Sequence, residues 1–431
     1  MTNVTIPDLT PVATAQPTDL IEVSQSNVSG SETLAQAVEA GAAGSGNASV
    51  RLGNGSTASG DNSVAVGRDA NAGNNGAVAV GYKANAAGVT ASAIGYLAHA
   101  SGQVSVAIGS NANASGDSAF VFGNSSSASG PSATALGGAA SAGGYQSLAL
   151  GTAANASGTN SVAIGTLANA SGENSVALGT NAVATGTGSK STAVGLSAVA
   201  AGPSSVSLGN AANATGTNST ALGFNALANG FPAIAIGVNS IATADGALAV
   251  GYGSNASGAA SSAIGYFAIA GGKHSDAFGH QARATGNFSV AIGYSSHSAG
   301  TGQIAIGQNA GNNTAVTDAV AIGHNATSSN QSTVAIGYDA RAAGVNSIAM
   351  GNAANVTATN SVAIGVSACA TGANSVALGA GVTVGSANTL GLPIGGSTGA
   401  LLVKTVNGWQ ALAPGAEGTT LKISGGIPAW V

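Results

Sequence analysis

Ser161-Val162-Ala163-Ile164-Gly165 is the stretch that decides the fold, because it recurs. Ser63-Val64-Ala65-Val66-Gly67 is a near copy, and 24 such glycines run from Gly53 to Gly379. The step is 14 residues except from Gly179 to Gly195 and from Gly307 to Gly323, where it is 16. A strict period means one structural unit stacked many times, and such a solenoid grows along one axis instead of splitting into domains. Within a unit, Val64 and Val66 alternate with Ser63 and Ala65, the period of a strand. Ala70 and Ala72 alternate with Asp69 and Asn71 and predict a second short strand. Gly67 ends the first strand; the second ends near position 74, where other units carry Gly88, Gly102, Gly116 and Gly158. Glycine suits both corners because it accepts positive φ and close backbone approach. The period therefore predicts an all-β fold, a β-solenoid of about 24 coils. At roughly 4.8 Å per coil the stack is about 115 Å long.

The residue before the repeat glycine is large and apolar in every unit, from Leu52 to Leu378. Two residues before it stands Ala, apart from Arg51, Val121 and Ser207. One face of the first strand is thus wide and the other narrow. We expect the Val/Ile pair inside the roll, facing the Ala pair of the second strand. The Ser/Ala face would then let other copies of the chain approach closely. The reverse assignment places Val/Ile between subunits. In either case a lone coil cannot offset the backbone entropy of its residues, so it needs neighbours for ladder hydrogen bonds and partners beside it.

Composition narrows the function. Charged residues make up 5% of the chain, against roughly 25% in ordinary domains. With a net charge of −5 there is no basic patch to neutralise phosphates, which argues against nucleic acid as a partner. Apolar residues locked in phase argue against disorder. Collagen would need Gly at every third residue. One cysteine allows no intrachain disulfide. There is no Lys or Arg before Arg51 and no long apolar run, so we expect no secretion signal and no membrane insertion.

The unit Ser-Val-Ala-Ile-Gly-x-x-Ala-x-Ala-x-Gly, clearest at 161–172, 175–186 and 361–372, resembles the head repeat of YadA-like trimeric adhesins. The resemblance covers about residues 47–387. It implies a left-handed parallel β-roll and a homotrimer around a common axis. The ends depart from that family, which adds an export signal and a membrane barrel. Thr18-Asp19-Leu20-Ile21-Glu22-Val23 and Ser31-Glu32-Thr33-Leu34 are similar to the start of bacteriophage tail-fibre proteins. Gly408-Trp409-Gln410-Ala411-Leu412 and Gly426-Ile427-Pro428-Ala429-Trp430 are similar to the ends of such virion proteins. Residues 1–46 are expected to be a virion-attachment or cap segment, 47–387 the shaft, and 388–431 a β-hairpin cap or tip. Both ends make sense as caps for exposed strand edges. Ser31 can cap a short helix with Leu34, Ala35 and Val38 on one face, ending at Gly41. Asn407-Gly408 signals a hairpin, and Trp409 and Trp430 are expected to form an aromatic plug.

Candidate contact residues follow from register. Tyr82, Tyr96, Tyr252, Tyr266, Tyr294 and Tyr338 each follow a repeat glycine, as do Phe224, His280 and His324. Tyr252, Tyr266, His280 and Tyr294 should stack as a ladder about 5 Å apart. Such a ladder serves either as corner packing or as a strip for a glycan or receptor, and Trp409 and Trp430 are candidate contacts at the tip. Asn71, Asn85, Asn113, Asn155, Asn169, Asn213, Asn255 and Asn355 sit between the two alanines of the second strand. They should point outward and exchange amide hydrogen bonds. That register becomes apolar at Val183, Val199, Leu227, Ile241 and Ile269. Cys369 falls in the same register, where an exposed thiol without a role is expected. Asp276, if interior, would need a partner, with Ser262 the nearest; a bulge is the alternative. Phe120 and Phe122 oversize one coil, and Thr134 is placed to make room. The histidines show no metal-ligand spacing, the glycines no phosphate loop, and the acids no glycosidase pair. No catalytic residue, cofactor or metal is expected.

The expected function is a structural fibre of a bacteriophage virion, made in the host cytoplasm and carried on the tail. It would bind other tail proteins through its N-terminal segment and a host-surface glycan or protein. The alternatives are a fragment of a bacterial trimeric autotransporter adhesin, a capsid-decorating fibre, or a polysaccharide-degrading tail spike.

Overall fold

The computed structural model describes residues 44–186, 190–312, 315–392, 401–405, 408–412, 416, 421–424 and 427–431. The chain divides into two units, Met1–Ser240 and Ile241–Val431, and both are built from one kind of coil. Each coil is a three-residue strand such as Val162–Ile164, a corner at Gly165, and a two-residue strand such as Asn169–Ala170. Coils stack as parallel ladders one repeat apart. In the first unit Val162 pairs Val176 and Ala163 pairs Ala177, while Asn155 pairs Asn169. In the second, Val362 pairs Val376 and Asn355 pairs Cys369. Among the described residues there is no helix. The fold is the expected all-β parallel β-solenoid. The two 16-residue steps leave the ladders in register, since Val176 pairs Thr192 and Ile304 pairs Val320. The extra residues are therefore absorbed between the second strand of one coil and the first strand of the next.

The interior reverses the expected assignment of faces. Ser161, Ala163, Ala168 and Ala170 are fully buried, whereas Val162 is half-buried and Leu178 is 41% exposed. The Val/Ile pair points out of the roll, and the small residues of both strands face each other inside. The reason is wall spacing. Ser207 on one wall donates its hydroxyl across the interior to the Ala212 carbonyl at 2.7 Å, and Ser261 reaches the Ala270 carbonyl at 3.2 Å. A gap that one Oγ can span has room for methyl groups, not for facing Val and Ile. It admits a larger side chain in single coils only, at Val121, Gln303, Thr333 and Val356, with Gln303 Oε1 accepting from the Ala299 and Gly300 amides at 2.7 and 2.8 Å. In some other coils the interior serine turns back to the preceding corner, as Ser105 does to the Gly102 carbonyl at 2.7 Å. Asp276 lies on the outward face, half-buried and in register with Ser262 and Val290, so no carboxylate is buried there and no bulge is formed. Phe120 and Phe122 also point outward and are exposed, so the rings do not enlarge the interior of their coil; the larger residue inside it is Val121.

The corners divide their work in a way the glycine pattern did not reveal. Gly165 has φ +132°, and a Cβ there would lie 2.5 Å from the Gly179 carbonyl oxygen. Gly172, at the other corner, needs only the space: a Cβ would meet the Gly186 carbonyl oxygen at 2.7 Å. A second set of left-handed residues, mostly non-glycine, recurs every seven positions, as at Asn160, Leu167, Asn174 and Asn181, with φ between 52° and 58°; Gly76 and Gly253 are among the few glycines in it. Each coil is thus two similar half-turns. Asparagine adopts this conformation readily, whereas a β-branched residue is strained in it. Val104 is held at φ +58° with its side chain largely exposed. Val104→Asn should therefore stabilise its coil by about 1 kcal/mol, read as slower amide exchange at Val106 and its coil neighbours.

Corner asparagines also form ladders that the sequence reading missed. Asn346, Asn360, Asn374 and Asn388 pass amide hydrogen bonds from coil to coil at 3.1–3.2 Å. The expected ladder on the second strand is present in places, with Asn71 donating to Asn85 at 2.9 Å and Asn155 to Asn169 at 3.1 Å.

At the ends, the Ser45 amide already bonds the Ala58 carbonyl at 2.9 Å, so coil backbone begins before residue 47. The expected N-terminal helix lies outside the described residues. Leu390–Gly391 still pairs with Val376 and Ala377, which carries the roll past residue 387. Leu401–Thr405 and Gly408–Leu412 then form the expected antiparallel hairpin. Thr405 pairs Gly408, so Gly408 belongs to the strand and not to the turn. A second hairpin, Leu421–Ser424 with Ile427–Trp430, was not anticipated, although Gly425-Gly426 between its strands is a turn signal.

Candidate binding surfaces

Two outward surfaces come from the two strands of the coil. The first-strand surface carries the Val/Ile pair on coil after coil. Ile94, Leu150, Leu178 and Leu208 in the first unit, and Ile264, Met350 and Ile364 in the second, are each more than a third exposed. A continuous apolar stripe of this kind marks an interaction surface.

The second surface begins with the aromatic ladder, which forms as expected. Tyr252 stacks on Tyr266 at 5.2 Å, Tyr266 on His280 at 4.9 Å, and His280 on Tyr294 at 5.0 Å, with interplanar angles of 12–18°. The spacing is that of the strands beneath it. All four rings are exposed. Tyr82 and Tyr96 stack in the same way at 5.2 Å, with the Arg68 guanidinium 4.5 Å from the Tyr82 ring centre. Hydrogen bonding to Lys83 and then to Arg68 holds the Tyr82 phenol below its ordinary pKa. Trp409 sits opposite Lys404 in one hairpin and Trp430 opposite Leu421 in the other. Their side chains lie outside the described residues, and with them the expected aromatic plug.

Phe267, Arg283 and His297 were not singled out from the sequence. Phe267 occupies a left-handed corner position, φ 51°, edge-on to both Tyr252 and Tyr266. Its ring lies over Gly253, where a Cβ would be 2.5 Å from Phe267 Cε1. Arg283 and His297 take the outward register of the second strand, paired across adjacent coils. That register was recognisable; what hid them was its mixed filling, in which Asn is the commonest residue and no single chemistry stands out. Phe267, Ile269, Gln281, Arg283, Ser295 and His297 line an open groove of about 710 Å³. A second groove of about 570 Å³ surrounds Arg341 and contains Asp339. Cys369, in the same register, is half-buried, with Asn355 Nδ2 4.0 Å from its sulfur.

His297 is the perturbed base of this surface. Burial of its ring, and secondarily the Arg283 charge, push its pKa below the ordinary 6.5. The unfolded chain therefore takes up the proton first as pH falls, and the stability contributed by neutral His297 is lost below pH 6.5. Arg283→Gln should raise the His297 pKa part of the way back, since the burial remains; NMR titration of the imidazole carbons reads this directly.

Compared with known families, the chain matches the YadA head domain repeat (2 copies) in overlapping stretches from 45–70 and 72–98 through 170–198 and 242–268 to 357–381. No curated protein matches it. Each matched stretch spans about two coils of the stack described above. On its repeat, its register and its corner glycines, this chain belongs to the YadA head-repeat family.

Proposed function

We propose that the protein is the subunit of a trimeric, adhesin-like surface fibre, and that the fibre is carried on a bacteriophage tail. The observation that carries the trimer is the outward Val/Ile stripe, which every coil repeats and nothing else within its coil covers. Three copies packed on that stripe would remove it from water and leave the second-strand surface, with its aromatic ladder, facing out. The phage assignment rests on the terminal segments, whose residues are similar to tail-fibre ends. The repeats fit a bacterial surface adhesin equally well. Mass spectrometry of purified virions separates the two: the chain is recovered in tails under the first reading, and in washed cell envelopes under the second. The fibre binds its target and does not cleave it, so incubation with capsular polysaccharide should release no reducing ends.

A further inference from the structure

We propose that the groove around Arg283 binds a carboxylated sugar unit of an acidic polysaccharide. This rests on the reading of the chain as a surface-binding fibre and adds the class of ligand.

Arg283 stands at the centre of the groove, exposed, with Gln281 and Thr285 on the same outward side of its strand. Among the described residues its guanidinium has no ion-pair partner, and no carboxylate lines the groove. The Arg341 groove differs here, because Asp339 offsets the charge. A free guanidinium offers a planar fork of donors matched to a carboxylate. His297, half-buried beside it, adds a neutral ring that can donate or accept a hydrogen bond. The Ser295 hydroxyl is 3.4 Å from Gln281 Oε1, which sets a hydroxyl and an amide at the rim. Phe267 supplies an exposed apolar ring at one end, with Tyr266 next to it at 4.6 Å between ring centres.

The combination selects a saccharide over a peptide. The groove is open and lacks a deep apolar pocket for a hydrophobic anchor, which peptide recognition favours. It does offer flat ring surface for sugar C–H faces, short polar groups for hydroxyls, and one fork for the acid. The net charge of −5 opposes general polyanion binding, so the attraction is local to Arg283.

The test uses the full chain and calorimetric titration with α-1,4-linked oligogalacturonate, with its methyl ester as the uncharged control. The acid should bind and the ester should bind about tenfold or more weakly, the size of one charge-assisted pair. Arg283→Ala should lose the preference for the acid, Arg283→Lys should retain part of it, and Arg341→Ala should leave it unchanged. Because Arg283 is exposed, circular dichroism of its variants should match the parent. Equal binding of acid and ester, or an Arg283→Ala protein that still prefers the acid, overturns the proposal. So does failure of oligogalacturonate, oligoglucuronate and sialyl oligosaccharides alike, or binding of acidic peptides in their place. If particles or cells are bound equally by the parent and by Arg283→Ala, the fibre reading stands and this site falls. If the protein is not trimeric, the fibre reading falls on that measurement alone.

Discussion

Placing aspartate at Ile164, Leu178, Val194 and Leu208 together should reduce the light-scattering mass from about three times 40.0 kDa to that of one chain. These residues occupy one outward register in four successive coils of the first unit. Their neighbours Ala163, Ala177, Ala193 and Ser207 fill the interior and are untouched. Each substitution would set an unpaired charge in an apolar subunit contact, at a cost of several kcal/mol per ion. Four per chain exceed what a contact of this kind can absorb. Had the Val/Ile pair filled the roll, the same substitutions would destroy the strands. The outward placement instead predicts that the β-type circular dichroism survives while the mass falls. A variant that keeps its trimer mass refutes the assigned interface.

Gly165→Val should open the roll locally. At φ +132° a β-branched residue is strained by about 1–3 kcal/mol. Its Cβ would also press on the Gly179 carbonyl oxygen, backbone that cannot swing aside. Together these cost about 3 kcal/mol, so the Gly179 amide, bonded to the Ile164 carbonyl at 2.8 Å, should exchange about 100-fold faster. Exchange is the right measure, because a long repeat array melts piecewise and a single midpoint has no clear meaning. Gly172→Val, without the φ strain, should be milder. Equal effects at the two corners would refute the division of labour between them.

Much of this protein was legible from its sequence because its contacts repeat at a fixed interval. When residue i stacks on residue i+14, a column in the sequence is a column in space. Tyr252, Tyr266, His280 and Tyr294 could therefore be placed in one ladder from their positions alone, and the structure stacks them at 4.9–5.2 Å. Columns also located the strands, the corner glycines and the outward asparagines. Contacts between columns were not legible. Phe267 belongs to a corner column and Arg283 to a strand column, and only the path of the chain around the corner brings them to one groove. The asparagines at φ near 55° were missed for a related reason. Glycine advertises positive φ in a sequence, whereas Asn160 or Asn174 reads as an ordinary polar turn residue.

By itself, then, the sequence determined the stack: its period, its two strands per coil, the glycine corners and the membership of each column. Tertiary structure alone decided which face of the strand is the inside. Alternation of large and small residues states that the two faces differ and is silent on the distance between opposing walls. That distance is one serine side chain, as the bond from Ser207 to the Ala212 carbonyl shows, and it takes Ala or Ser in nearly every coil, with a single Val at Val121 or Val356, but not facing Val/Ile pairs.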